Sequence, residues 1–327
     1  MTSPVNQHDH RLPQRRKLGT TDLDIAPMVL GGNVFGWTAN RETSFAILDT
    51  FFDAGFNAID TADVYNRYAP GLKGGESETV IGEWMKARGV RDRVVLITKG
   101  GLAMGEGMKG LGREYLPRAC EASLKRLQTD YIDVYMAHLA DPEVAIDETL
   151  EAMQTLIGPG KIRYAGCSNY TPEELNDSLV AAQNGGARYE VVEPHYNLIE
   201  RSKYEGAMEE ICAKKRLGVI AYYALAAGFL TGKYRNKEDL AGSARSGTVA
   251  AYLKPQGLKV LDALDAVAAR HRATPSQVAL AWLMGRPTVT APIASATSVA
   301  QLLDLLESVS LQLTAEDSVL LDDCKVA

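Results

Sequence analysis

From about residue 29 onward, short apolar runs rich in β-branched residues alternate with longer amphipathic segments, and few folds accept that alternation. The runs fall at 28–31 (MVLG), 57–61 (NAIDT), 94–98 (VVLIT), 131–137 (YIDVYMA), 162–167 (IRYAGC), 189–193 (YEVVE), 218–223 (GVIAYY) and 289–293 (VTAPI). Most are almost continuously apolar, as strands of a parallel sheet buried on both faces must be. Helical periodicity covers 42–54, 76–87, 114–127, 145–156, 172–183, 205–216 and 298–308. Two more helices fill 258–284, divided at Thr274-Pro275, a helix cap followed by a first-turn proline. Eight strands alternating with about as many helices predict an α/β fold, a closed (β/α)8 TIM barrel. Before it, 17–27 (KLGTTDLDIAP) reads as an N-terminal β-hairpin. No linker or repeat divides the chain, so 17–327 is expected to be one barrel domain behind a loosely ordered tail, 1–16.

Composition narrows the classes of function. A net charge of −6 gives no reason to expect nucleic acid or an anionic membrane as partner. No apolar run reaches the roughly 18 residues needed to span a bilayer, and Met1 to Arg16 lacks the apolar stretch of a signal peptide. Cys120, Cys167, Cys212 and Cys324 are scattered and form no CxxC pair, which suits reduced thiols in the cytoplasm. No metal site is expected; His8 and His10 lie in the tail, where histidines seldom bind one.

Chemistry in such a barrel belongs at the C-terminal ends of the strands. Reactive side chains gather there. Asp60 ends the second run with Tyr65 just beyond, Lys99 ends the third, His138 the fourth, and Ser168 and Asn169 the fifth. Any one of them alone reads as a structural or solvated group; the ordered set is harder to dismiss.

In order and in strand placement, Asp60, Tyr65, Lys99 and His138 resemble the catalytic tetrad of the aldo-keto reductase family. The segments SNY after the fifth run, HYNLIER at 195–201 and LAAGFLTGKY at 225–234 are also similar to that family, so the resemblance covers about 17–310. The pattern is similar to bacterial members related to the β subunits of voltage-gated potassium channels. The resemblance implies an enzyme that moves hydride between NADP(H), with NAD(H) as the alternative, and a small-molecule carbonyl or alcohol. Tyr65 would be the general acid and base. A tyrosine has a pKa near 10, and Lys99, held by Asp60, is expected to lower it toward the working range. His138 would orient the carbonyl oxygen, and Trp37 would form a wall of the substrate pocket.

The same resemblance assigns the cofactor. Gly32 and Asn33 would approach it; Ser168, Asn169 and the residue at 193 would bind the nicotinamide carboxamide, with Tyr222 stacked on the ring. Leu225, Gly228, Leu230, Gly232 and Lys233 would line the loop over the pyrophosphate. Arg245, Ser295, Thr297, Gln301 and Asp304 would surround the adenosine and its 2′-phosphate, where a helix N-terminus also favours an anion. Three positions depart from the family pattern: Glu193 stands where Gln is usual, Ser298 where Lys or Arg is frequent, and Leu305 where Asn is. Phosphate recognition is therefore expected to fall on Arg245.

Two rival readings stand beside this one. Gly105 to Gly110 spell GxGxxG, the dinucleotide fingerprint, but no helix opens directly behind it and no acidic residue ends the following strand. A flexible loop bordering the substrate pocket is the plainer reading. The other rival is a redox-sensing subunit that holds the cofactor and turns over little.

Overall fold

The computed structural model of the protein describes residues 13–242 and 245–324; His8, His10 and most of the expected tail fall outside them. The hairpin comes first: β1 (Arg16–Lys17) and β2 (Asp24–Ile25) pair antiparallel, Arg16 opposite Ile25. The barrel strands follow as β3 (Val29–Gly31), β4 (Ala58–Asp60), β5 (Val95–Gly100), β6 (Ile132–Ala137), β7 (Ile162–Ser168), β8 (Tyr189–Glu193), β9 (Gly218–Ala221) and β10 (Ala291–Ala294). Each pairs in parallel with its neighbours, and β10 pairs with both β9 and β3, which closes the sheet. Every expected strand is present, β8 with the expected bounds and the others with their ends slightly moved. The closed barrel also disposes of the dinucleotide-fingerprint reading, because Gly105 to Gly110 lie in a loop whose next helix opens only at Leu116.

The helices are α1 (Arg41–Asp53), α2 (Glu76–Arg88), α3 (Leu116–Leu127), α4 (Ile146–Ile157), α5 (Pro172–Ala181), α6 (Ala207–Lys215), α7 (Ser246–Ala250), α8 (Pro255–His271), α9 (Pro275–Met284), α10 (Val299–Leu306) and α11 (Ala315–Asp322). Thr274 does cap α9: its hydroxyl accepts from the Gln277 amide while Gln277 Oε1 accepts from the Thr274 amide, with Pro275 in the first turn. Such a cap contributes about 1 kcal/mol. The sequence reading missed α7 and α11. For α11 a signal existed, since Thr314 and Asp317 form the same reciprocal cap.

Two apolar layers follow from the two-residue period of a strand. Val29, Ala58, Ile97, Val134, Met136, Val191, Ile220, Ala291 and Ile293 point inward and fill the barrel, with Leu18, Leu23 and Ile25 of the hairpin region packed against them. The alternate residues, among them Leu30, Ile59, Leu96, Tyr135, Val192 and Val219, pack outward against the helices. The inward parity has a consequence at the C-terminal end. One step past Ala58 is Asp60, past Ile97 is Lys99, past Met136 is His138, past Val191 is Glu193, past Ile220 is Tyr222 and past Ile293 is Ser295. Strand after strand, the residue that would continue the apolar plug is polar instead.

Candidate active site

Lys99 is the hub of this polar layer. Its side chain is fully buried, and Nζ lies 2.5 Å from Asp60 Oδ1, 3.1 Å from the Thr61 carbonyl, 3.0 Å from Tyr65 Oη and 3.2 Å from Glu193 Oε2. Tyr65 also donates its hydroxyl to Asp60 Oδ2 at 3.2 Å. Tyr65 is brought in by its loop. The Thr61 amide donates to the Ile97 carbonyl and the Asp63 amide to the Lys99 carbonyl, so the loop continues the β4–β5 ladder past the strand end. Asn66, in the left-handed region at φ 72°, donates its side-chain amide to the Phe35 carbonyl and clamps the far side. His138 completes the cluster, its ring edge-on to Tyr65 with centroids 6.1 Å apart.

Burial dominates the electrostatics here. It would drive the Lys99 ammonium down, but Asp60, Glu193 and Tyr65 together hold it well above its usual value, so Lys99 is charged. Burial raises Asp60, and Lys99 pulls it back in part. Burial first, and then the Lys99 charge, push His138 down to about 3, leaving a neutral imidazole at any ordinary pH. Glu193 is pushed up to about 8 by burial and by the Asp60 charge, against the pull of Lys99. One expectation is corrected here. Lys99 does favour the Tyr65 phenolate, but burial, Asp60 and Glu193 outweigh it, and Tyr65 sits well above its ordinary value rather than below it.

The remaining expected residues fall into groups. Ser168 donates its hydroxyl to the Glu193 carbonyl (3.1 Å), and Asn169 donates its side-chain amide to the His138 carbonyl (3.0 Å) and to Ser168 Oγ (3.1 Å). Tyr222 donates its hydroxyl to Asn169 Oδ1 at 2.5 Å. Ser168, Asn169 and Tyr222 thus form one network across the mouth. Ser295 donates to Asn33 Oδ1 at 2.7 Å, which ties the ends of β10 and β3 together. Gly31 makes that approach possible, since a Cβ there would lie 2.4 Å from Ser295 Oγ. Gly32 is equally confined, against Ser77 Oγ and the Asp60 carbonyl.

The loop after β9 carries Leu225, Gly228, Leu230, Gly232 and Lys233. Gly228 (φ 94°) and Gly232 (φ 79°) take up left-handed backbone, and the Lys233 ammonium rests over the Tyr234 ring at 4.9 Å. Arg245 stands half-buried at the start of α7. At the start of α10, Ser298 caps the helix by accepting from the Gln301 amide, while Gln301 Oε1 accepts from both the amide and the hydroxyl of Thr297. The Asp304 carboxylate accepts from Gln277 Nε2 (2.9 Å) and Thr274 Oγ1 (3.2 Å), binding α10 to the capped end of α9. Trp37 is more than a third exposed on the rim, as are Met108 and Tyr68.

Some residues of the mouth escaped sequence reasoning. His195 packs its ring between those of Tyr222 (5.1 Å) and Tyr223 (4.9 Å), and its Nε2 is buried without a protein partner. Inward parity from Val191 through Glu193 points to it. Tyr223, Ala226 and Ala227 all adopt positive φ (57°, 47° and 57°). Non-glycine residues held there cost about 1–2 kcal/mol each, and such strain gathers at functional sites. Asp63 is buried with neither carboxylate oxygen bonded, and burial with the neighbouring Glu78 charge pushes it up to about 8. No motif marks it.

The donors present suit a nicotinamide. Ser168 and Asn169 offer a donor and an acceptor side by side for a carboxamide, Tyr222 offers a flat face, and the buried His138 Nδ1 has no protein partner. Among the described residues no group of acidic, histidine or cysteine side chains is arranged for a metal, and no helix is long and apolar enough to cross a membrane.

Comparison with known proteins agrees with this architecture. The model of the Aldo/keto reductase family matches residues 27–326. Over 316 residues the chain is 33% identical to the "Uncharacterized oxidoreductase YrpG" of Bacillus subtilis (strain 168), covering 94% of each protein. It is 31% identical to "Aldo-keto reductase YhdN" of the same organism, over 90% of this chain and 87% of that one. It is 32% identical to "Aryl-alcohol dehydrogenase GME11368" of Pestalotiopsis microspora, over 91% of this chain and 78% of the relative. The protein is an oxidoreductase built on a (β/α)8 barrel. It belongs to the aldo/keto reductase family, whose members carry out nicotinamide-dependent oxidoreduction of carbonyl compounds.

Proposed function

We propose that the protein is an NADPH-dependent reductase of a small aldehyde or ketone, with Tyr65 as proton donor. One observation carries this reading: the Tyr65 hydroxyl is bracketed by Lys99 Nζ at 3.0 Å and Asp60 Oδ2 at 3.2 Å. A bound reduced nicotinamide supplies hydride to the carbonyl carbon; the protein must supply the proton. Tyr65 is half-buried, while Lys99 beneath it is fully buried. As charge develops on the carbonyl oxygen, the Tyr65 O–H bond breaks toward it, and the phenolate left behind is stabilised by the ammonium. The high resting pKa keeps the proton on Tyr65 until that charge appears. Neutral His138 can donate a hydrogen bond to the same oxygen without adding a charge that would compete with Lys99. Such acid catalysis contributes about 10²–10⁴ in rate.

Ser168 and Asn169 would hold the carboxamide by exchanging the bonds they now make with each other and with Tyr222, whose ring would lie against the nicotinamide. NADP(H) is favoured over NAD(H) through Arg245 and the first amides of α10, which suit a phosphate. The aromatic and thioether rim of Trp37, Tyr68 and Met108 suits an aromatic or mixed-polarity carbonyl, and one relative is named for aryl alcohols. We place the single barrel, 17–327, in the cytoplasm, where its four buried free thiols would stay reduced. The test is a panel of carbonyls and alcohols read by the absorbance of the reduced cofactor. Tight NADPH binding without turnover of any carbonyl would favour the regulatory subunit instead.

A further inference from the structure

Around Lys99 the count of hydrogens does not match the count of acceptors. An ammonium has three N–H groups, and four oxygens lie within 3.2 Å of Nζ: Asp60 Oδ1, the Thr61 carbonyl, Tyr65 Oη and Glu193 Oε2. The first three are placed to accept. Glu193 Oε2 has the proximity but no hydrogen bond, in a side chain that is almost wholly buried. A buried carboxylate oxygen with no donor is costly. It can escape in two ways: take a hydrogen of Lys99 away from another acceptor, or take up a proton.

Which carboxyl of the pair holds a proton follows from the donors each receives. Asp60 accepts from Lys99 at one oxygen and from Tyr65 at the other, while Glu193 Oε2 accepts from neither. Asp60 is therefore the ionised partner and Glu193 the one that binds the proton. Of the acceptors Glu193 can displace, Asp60 is charged and lies closest, and the Thr61 carbonyl belongs to the clamped loop backbone. The Tyr65 hydroxyl is the one that can yield.

We propose that Glu193 is a positioning residue that makes the proton relay sensitive to pH: protonated, it leaves a Lys99 hydrogen to Tyr65; ionised, it competes for that hydrogen and weakens Tyr65 as a proton donor. This rests on the reading of Tyr65 as the donor. The other titratable groups around Glu193 keep one state across the neutral range. Lys99 from β5 stays charged and Asp60 from β4 is bonded as the carboxylate. Burial keeps Cys167 of β7 a thiol and raises Tyr222 to about 12. His138 is neutral. The value of about 8 for Glu193 puts its own transition where the enzyme can use it.

The experiment measures kcat for reduction from about pH 6 to about pH 10 in the wild type and in Glu193→Gln, with Glu193→Met as substitute should the amide variant fail to fold. The wild type should lose up to about tenfold over the pH unit above a midpoint near the Glu193 transition and then level off at the rate of the ionised form, and the uncharged variants should keep their rate at least one pH unit further. Glu193→Asp, which restores a carboxyl, should bring back an alkaline fall. A second readout needs no turnover: the carboxyl ¹³C resonance that disappears in Glu193→Gln should titrate in the near-neutral range in the cofactor-free protein. Superimposable rate profiles, or a Glu193 resonance titrating like an ordinary carboxylate, would overturn the proposal. Undiminished reduction by Tyr65→Phe would instead remove the proposed mechanism, and the resonance would still report whether Glu193 holds a proton.

Discussion

Lys99 and Asp60 meet at 2.5 Å with both side chains buried, one from the end of β5 and the other from the end of β4, and Tyr65 bonds to both. A buried pair of this kind is poor evidence for stability but leaves a large debt when one member is removed.

Lys99→Met should therefore harm both fold and rate. It leaves Asp60 and Glu193 without their cation, which costs about 3–5 kcal/mol in a denaturant melt. It also strips Tyr65 of the one neighbour that favours its phenolate, so turnover should fall by at least about 10². Wild-type turnover in a folded Lys99→Met protein would exclude Lys99 from the proton relay.

Tyr65→Phe separates chemistry from binding. Only the transferable proton and two hydrogen bonds are lost, so reduction should drop about 10²–10⁴-fold while the NADPH Kd by fluorescence titration changes less than about threefold. A parallel loss of affinity would mean that the hydroxyl serves the cofactor instead.

Arg245→Ala addresses cofactor choice. If its guanidinium meets the 2′-phosphate, NADPH should weaken by about 1.5–3 kcal/mol, as for a charged hydrogen bond, with NADH nearly unaffected. Equal weakening of both would assign Arg245 to the pyrophosphate or to its loop.

Asp304→Ala should behave as a change in structure. Its carboxylate accepts from Gln277 and Thr274, so stability should fall by about 1–2 kcal/mol with little change in NADPH affinity. An unchanged melting temperature combined with much weaker NADPH binding would return Asp304 to the adenosine site.

Glu193 also predicts how stability depends on pH. Its folded value of about 8 lies above the ordinary 4.5, so the folded chain binds more protons than the unfolded one between those limits. Stability should then fall as pH rises through that window, by up to about 1.4 kcal/mol per pH unit, and level off above it. Glu193→Gln lacks this proton, so its stability relative to wild type should grow between pH 5 and pH 8. A constant difference across that range by urea melts would contradict the assignment.

The barrel was legible in the sequence because it depends on local pattern, whereas grouping Asp60, Tyr65, Lys99 and His138 as one site rested on the resemblance to a family. Strand period alone sends Asp60, Lys99, His138 and Ser295 inward above Ala58, Ile97, Met136 and Ile293, and the Thr274-Pro275 cap divides α8 from α9. What a side chain meets once it arrives is decided across the barrel, by residues far apart in the chain. Tyr65 reaches Lys99 only because its loop continues the β4–β5 ladder, and its acidity follows from burial and from two carboxylates whose convergence no spacing reveals. Glu193, expected at a carboxamide, finds Lys99 at 3.2 Å because β8 and β5 send their inward side chains to the same point. Asp304, expected at the adenosine, also accepts from Thr274 and Gln277 at the capped end of α9. Sequence determined which residues face the mouth of the barrel; the closed tertiary structure decided which of them share a proton, because Coulomb and hydrogen-bond energies depend on distances that only closure sets.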